Sequence, residues 1–520
     1  MKKDTFSEFC LRHERLLVVL LLAVGFALRF AALGSIPGGL NQDEASAGYD
    51  AWSILHYGID RNGSSFPVLL IAWGSGQNVL YSYLSIPFIA LFGLSAGSLR
   101  LIAALCGSLS LLLFRDAALR IRSREFSLWA LAALAVNPWH MLLSRWALES
   151  NLLPFCLLLG LWCLVRAKNS PRWLYGAGAA FALSLYAYGT AFFFLLFFLP
   201  PALLLARRGD KLPLSRIAAA AAVFILLALP ITICNLRNSL GLDGITVLGV
   251  TLPQLTETRQ SSVSVLGQGG MQAALGNFRR FLHLLWTQND GLPWNFNGPF
   301  GLLFGKAGLL FALAGLAQRL RELFRRRLKA SEGYILLMLL ASFCSSFFID
   351  INVNRMNMAF LPLIWLQADG LCFLSEKLRC VRLSPLPAVL LLCAALLSVR
   401  FYFTEQSRVI AGCFFEGLGE AIECAADEAE PEECIWASYE INMPYIFVLF
   451  YEQIPPQDFL GSVEYLNPGG AFQWVSSFSR WRFGRQPPQD GTLCILPVQQ
   501  VAGMDVISVS GQWAVARTAP

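Results

Sequence analysis

The sequence predicts an all-α polytopic membrane domain of about 11 spans, with interfacial helices in the first outer loop, followed by a small C-terminal extracytoplasmic α/β domain. Three observations carry that reading. Hydrophobic residues make up 56% of the 520-residue chain and charged residues only 14%, with a mean hydropathy of +0.55, more apolar surface than a water-soluble protein can bury. Basic residues fall in short clusters between apolar runs. From Thr404 onward acidic residues concentrate and the apolar stretches shorten. The net charge of +6 is thus a topology signal and not a nucleic-acid footprint.

Leu16 to Leu33 is almost wholly apolar, long enough to cross a hydrocarbon core of about 30 Å at about 1.5 Å per residue. It runs into Gly34-Ser-Ile-Pro37 and not a small-residue cleavage site, so it is expected to stay as the first helix. Basic clusters follow at Arg115/Arg120/Arg122/Arg124, Arg166/Lys168/Arg172, Arg207/Arg208/Lys211/Arg216, Arg319 to Lys329, and Lys377/Arg379/Arg382. The positive-inside rule puts all of them in the cytoplasm with the N-terminal Lys2, Lys3, Arg12 and Arg15. After a span at 99 to 119, the chain then crosses in pairs: 126 to 142 with 150 to 165, 173 to 188 with 190 to 206, 217 to 233 with 301 to 318, and 333 to 349 with 357 to 375. A last span at 386 to 403 exits to the other side. Leu80 to Phe92, with Pro87 inside it, is read as re-entrant or interfacial, because a crossing there would turn every later basic cluster outward.

The membrane domain therefore covers 1 to 404, with outer loops at 35 to 97 and 234 to 300, and the extracytoplasmic domain covers 405 to 520. In the first loop, Tyr49, Trp52 and Leu55 recur at helical spacing, which suits a helix from Glu44 to Tyr57 lying flat on the membrane. In the C-terminal domain, strands are expected at Cys434 to Ser438 and Thr492 to Pro497, with helices at Ile410 to Ala425 and Pro444 to Tyr451. Four of the 13 cysteines, Cys413, Cys424, Cys434 and Cys494, lie there, which permits one or two disulfides. Metal-ligand spacings such as Cys-x-x-Cys are missing from the sequence.

Asp43-Glu44 lies just past the first span, where two adjacent carboxylates have no packing reason to be, and is the expected centre of the chemistry. Its bland counterpart is an N-cap for the following helix. Asp60-Arg61, beside Asn62-Gly63, reads as a surface turn. Arg145 and Glu149 are four apart, so on a helix they share a face near the outer end of a span, either as a local ion pair or as a substrate contact. His140 is either an interfacial residue or part of that site. Arg355, among Asn352, Asn354 and Asn357, is able to hold a phosphate or to end its helix with a polar cap. Arg279, Arg280 and His283 form a basic stripe that reads as an interfacial anchor.

The order of an apolar span, an outer-loop Asp43-Glu44, a flat helix and Asn137-Pro-Trp-His-Met-Leu-Leu-Ser-Arg-Trp-Ala-Leu-Glu149 resembles the GT-C membrane glycosyltransferases. Within them it is most similar to the protein O-mannosyltransferase and lipid A aminoarabinose transferase group. The likeness continues through Tyr186-Ala-Tyr188-Gly-Thr190, Asn289-Asp290-Gly291 and Asn354-Arg355-Met-Asn357, and so covers roughly residues 15 to 400. It implies a polyprenyl-phosphate-linked sugar donor, reached from the bilayer, and transfer to a protein, lipid or glycan hydroxyl on the outer face of the plasma membrane. Asp43 becomes the general base, with Glu44 orienting the acceptor or tuning the base. Arg145, Glu149, His140, Tyr188, Asp290, Asn354 and Arg355 become the candidate substrate contacts. The chain has no Asp-x-Asp, so no cofactor is required and a divalent metal has no support. A lipid-linked glycan ligase, or a non-enzymatic transporter or assembly protein, stays open as the alternative.

Overall fold

The computed structural model describes residues 5–256, 270–470 and 472–519, so part of the large outer loop, 257 to 269, lies outside the described residues. Where backbone polar groups meet lipid they must bond within their own segment, and the long Leu-, Ala- and Phe-rich runs accordingly form helices. Seven of these, among the described residues, are long and apolar enough to cross a membrane: Ala96–Ile121, Glu149–Ala167, Ala191–Arg208, Leu214–Ser239, Gly298–Phe324, Asn357–Val381 and Leu386–Cys413. Leu80–Phe92, Trp173–Ala187 and Ala330–Ser345 are shorter apolar helices, and the segment expected as the first span forms the 17-residue helix Glu14–Phe30. The chain is a multi-pass membrane protein.

One expected span is not a single helix. Between 126 and 142 the chain forms Arg124–Ala135 and then Pro138–Leu143. Pro138 has no N–H to continue the first helix, and Asn137 starts the second by accepting the His140 N–H on its side chain (3.1 Å).

The chain divides into two compact units. The first holds the described residues of Met1–Ala31, Ala103–Leu229 and Gln260–Gln406; the second holds those of Ala32–Ile102, Pro230–Arg259 and Ser407–Pro520. In the first, Gly305–Phe324 and Phe360–Lys377 pack backbone to backbone. A methyl group on Gly315 would sit 2.0 Å from the Leu366 carbonyl oxygen, and one on Gly370 2.0 Å from that of Phe311. Small residues permit the close approach that lipid-embedded helices rely on.

The second unit is built on a seven-stranded sheet in the order Asp505–Ser510, Trp513–Arg517, Leu493–Pro497, Ile435–Ser438, Trp481–Gly484, Val475–Phe478, Glu464–Tyr465. The central strand, Ile435–Ser438, runs parallel to both neighbours, and the remaining pairs are antiparallel. The expected helix from Ile410 to Ala425 is instead Ser407–Cys413 and Leu418–Glu428. Gly417, at φ +88°, breaks it in a conformation open to glycine and leaves no room for a side chain, since a Cβ would lie 2.2 Å from the Ser510 carbonyl oxygen. The helix expected to lie flat, Gln42–Tyr57, is buried at every position from Glu44 to Ile54, packed by Leu80–Phe92 and Pro444–Glu452. Its small residues explain the difference: a Cβ at Gly48 would already meet Phe450 at 2.8 Å. Among the described residues Cys413, Cys424, Cys434 and Cys494 form no disulfide, so the one or two bridges that they would have permitted are not made.

Candidate active site

Gln42–Tyr57 begins at a cap that does not use Asp43. Asn41 is the N-cap, its Oδ1 accepting the Asp43 N–H at 2.9 Å, while the Asn41 N–H donates to Glu44 Oε2 at 3.1 Å, a reciprocal capping box. Glu44 also takes Arg100, from Nε to Oε1 at 2.8 Å and from Nη2 to Oε2 at 2.9 Å, with both side chains fully buried. The rest of the Arg100 fork holds the approach loop, donating to the carbonyls of Pro37 (2.7 Å) and Gly39 (2.8 Å). Gly39, at φ +70°, has to be glycine, because a Cβ would fall 2.0 Å from the Phe414 carbonyl oxygen. Of the acidic pair, Glu44 is thus spent on holding the chain, and Asp43 is half-buried.

Asp43 Oδ1 accepts the Trp73 indole N–H at 3.4 Å. Trp73 turns the hairpin between Leu69–Ala72 and Ser75–Asn78 and carries the Arg61 guanidinium over its ring at 5.2 Å. Here the reading of Asp60-Arg61 as a surface turn is corrected. The turn is present, with Asp60 Oδ1 accepting the N–H groups of Asn62 (2.9 Å) and Ser64 (2.8 Å), but Asp60 and Arg61 are both buried. Asn62-Gly63 marks a reversal and says nothing about depth. Arg61 pairs with buried Asp50 at 3.5 Å and donates to Ser46 Oγ at 2.7 Å. Burial, followed by the neighbouring Asp50 charge, raises the Asp60 carboxyl to about 7, and burial likewise raises Asp50 against the opposing pull of Arg61. Sequence reading missed Arg100, Asp50 and Trp73. The signal for Arg100 was a lone arginine in the first turn of an apolar run, which needs an acidic partner.

In the first unit the candidate contacts fall into two groups. Arg145 is fully buried. It donates to the carbonyls of Leu28 (2.8 Å) and Ala31 (2.7 Å) and to the Tyr402 hydroxyl (3.2 Å), and lies over Phe403 at 5.1 Å. Its charge therefore meets the carbonyl end of Glu14–Phe30, where a cation is favoured. Arg29 does the same for Arg124–Ala135 through the carbonyls of Ala135 (3.0 Å) and Leu134 (3.3 Å), and donates to Nδ1 of buried His140 at 2.6 Å. The idea that Arg145 and Glu149 share a helical face is corrected, because the helix ends at Leu143 and Glu149 opens a separate 3₁₀ turn. Tyr188, half-buried, caps Trp173–Ala187.

The second group surrounds a cleft lined by Trp139, Trp146, Trp294, Asn151, Asn295, Asn354 and Asn357 with Leu142, Leu143 and Val353. Asp290 braces it, accepting from Asn295 Nδ2 at 2.8 Å and from the Val353 N–H at 2.9 Å. At its edge Arg355 pairs with Asp350, which also takes Arg280 at 2.9 Å. The Arg355 N–H donates to Asn352 Oδ1 at 2.8 Å.

Residues 60–233 match the family described as dolichyl-phosphate-mannose-protein mannosyltransferase, a segment that contains His140, Arg145, Glu149 and Tyr188 and begins after Asp43. No curated protein matches the chain. Among solved structures, the chain is similar to ArnT from Cupriavidus metallidurans bound to undecaprenyl phosphate. The identity is 14% over 97% of this chain and 99% of that one, with a TM-score of 0.57. The apo state of the same protein gives 14% identity, the same coverage and 0.55. The Archaeoglobus fulgidus oligosaccharyltransferase in complex with Zn and sulfate gives 13%, covering 84% of this chain and 61% of that one, at 0.48. The chain thus shares a fold with ArnT along nearly its whole length, and its residues 60–233 match the model of the mannosyltransferase family.

Proposed function

We propose that the protein transfers a sugar from a polyprenyl-phosphate-linked donor to an acceptor hydroxyl on the outer face of the cell membrane, with inversion and with Asp43 as the general base. The acceptor oxygen attacks the anomeric carbon from the face opposite the phosphate. As that bond forms, the bond from the anomeric carbon to the phosphate oxygen breaks, the lipid phosphate leaves with the electron pair, and the hydroxyl proton passes to the Asp43 carboxylate. One observation carries the reading: of two adjacent carboxylates, the chain buries Glu44 in a pair with Arg100 to fix the helix start, and leaves Asp43 half-buried on that fixed start. Glu44 then acts at one remove, as a positioning residue. Arg145, Glu149, His140, Tyr188, Asp290, Asn354 and Arg355 are the proposed substrate contacts, with Arg355 toward the donor phosphate. Neither a cofactor nor a divalent metal is part of the proposal. The associated topology has about 11 crossings, a cytoplasmic N-terminus and both long loops outside.

The test is Asp43→Asn in purified protein. The substitution should lower turnover by about 10² to 10⁴, with donor binding much less affected. Near wild-type transfer by a folded Asp43→Asn protein would sink the assignment. Uptake of a solute across the bilayer without sugar transfer would favour a transporter, and transfer of whole glycans a ligase.

A further inference from the structure

We propose that the hairpin formed by Ile245–Val247 and Val250–Leu252 dips its tip into the bilayer surface beside the end of the helix Leu214–Ser239, with phospholipid as the partner of its exposed apolar side chains. This contact needs only a bilayer and is independent of the reaction the protein catalyses.

The hairpin has no core to serve. Its first strand is exposed along its whole length, Val250 is exposed, and Leu248 at the tip is 100% exposed. Ionisable residues are absent from Ile245 to Leu252. The register pairs Ile245 with Leu252, Thr246 with Thr251 and Val247 with Val250, so the four apolar side chains share one face and the threonines share the other. The two threonine hydroxyls, the only polar side-chain groups of the hairpin, bond each other at 3.0 Å. The tip can therefore leave water without stranding a charge or a hydroxyl.

The turn gives a second, separate indication. Leu248 and Gly249 both have positive φ, +52° and +79°. A two-residue hairpin turn of that kind is usually filled by Asn-Gly or Asp-Gly, because a short polar side chain tolerates the left-handed region. Leucine does not, so the chain accepts local strain to place a fully exposed apolar side chain at the tip. A turn facing only water gains nothing from that exchange, while one entering lipid gains the apolar contact.

Position names the occupant. In the second unit, the helix end Pro230–Ser239 exposes Ile233 and Leu236, and exposed Leu240 and Leu242 carry the apolar series on toward Ile245. Residues 240 to 244 alone separate the helix end from the hairpin, a reach of at most about 20 Å. Arg237 shortens it further by donating to the Asp243 carbonyl at 2.6 Å. The surface that a membrane-crossing helix turns to lipid thus continues into the hairpin. Immersion is shallow, about 5–10 Å, because a two-stranded sheet keeps edge groups that water or headgroups must satisfy. The base is tied down: the Val68 N–H donates to the Thr251 carbonyl (3.0 Å), the Thr251 N–H to the Ser65 carbonyl (3.0 Å) and the Thr256 N–H to the Gly74 carbonyl (3.1 Å). The bilayer surface is so linked to the loop that carries Trp73, while the tip stays free to meet lipid.

The experiment uses the full-length protein in nanodiscs of phosphatidylethanolamine and phosphatidylglycerol. The fluorescent residue acridonylalanine replaces Leu248 or, for comparison, exposed Gln489. At Leu248 most of the fluorescence should be lost to lipid carrying a nitroxide near the headgroup end of its acyl chain, with protection from aqueous iodide relative to Gln489. Quenching by iodide as strong as at Gln489, with no loss to the nitroxide lipid, overturns the proposal. Aspartate suits the turn and is excluded from lipid, so in Leu248→Asp a label at Val247 should lose its quenching by lipid while the unfolding temperature holds or rises. Undiminished lipid quenching in that variant also overturns it. In cells, p-benzoylphenylalanine at Leu248 should crosslink to phospholipid on illumination. A crosslink to another protein, to a second copy of the chain or to a polyprenyl chain in place of phospholipid would replace the bilayer as the partner and overturn the proposal.

Discussion

Glu44 and Arg100, 56 positions apart, meet in a fully buried two-pronged ion pair at 2.8 and 2.9 Å. The same guanidinium ties down the carbonyls of Pro37 and Gly39. This pair makes the two adjacent carboxylates unequal in what their removal does. Glu44→Gln leaves the buried Arg100 charge uncompensated and should destabilise the protein by about 3–5 kcal/mol, seen as a lower unfolding temperature. Asp43→Asn should leave that temperature almost unchanged and remove turnover. Equal thermal stability of wild type and Glu44→Gln would mean that the pair does not hold the loop.

Asp60 supplies a pH prediction. Its carboxyl titrates near 7 in the folded chain and near 3.9 when unfolded, so between these values the folded state binds the extra proton. Stability from this group is fully present below about pH 4 and is lost as the pH rises through about 7. In Asp60→Asn, whose amide oxygen still accepts from Asn62 and Ser64, unfolding temperatures measured from pH 4 to 8 should lose that downward trend. A slope identical to wild type would show that Asp60 is already ionised across the range.

At Arg355, lysine keeps the charge and loses the planar fork. Donor use should fall in the order wild type, Arg355→Lys, Arg355→Ala, read as the rise in KM for the lipid-linked sugar. Equal activity in all three would reduce Arg355 to a local partner of Asp350.

For topology, a cysteine at Gln489 should react with an impermeant maleimide applied to intact cells, and one at Arg325 should react only after permeabilisation, since both positions are exposed. Outside labelling of Arg325 would invert the orientation drawn from the basic clusters.

These outcomes turn on features that were unequally legible in the amino-acid order. Apolar length marked the long helices because lipid leaves the backbone no alternative. It did not reveal the interruption at Asn137-Pro138, since the residues on both sides are apolar and only the missing N–H differs. Asp43-Glu44 stood out as a pair, yet which carboxylate was structural depended on Arg100, a contact across 56 positions that no local pattern encodes. Asp60-Arg61 shows the same limit: turn chemistry was readable, and burial by distant segments was not.

The two guanidiniums that close helix ends, Arg29 on the carbonyls of Leu134 and Ala135 and Arg145 on those of Leu28 and Ala31, have a consequence for biosynthesis. Arg29 meets its partner carbonyls only once translation has passed residue 135, whereas Arg145, made later, meets carbonyls of a span already made. A nascent chain halted between the two segments carries Arg29 at the end of its first span with no acceptor but its own helix and water. Release of that span from the insertion machinery should therefore wait for the second segment, and chains truncated before residue 134 should remain bound to it and be degraded when freed.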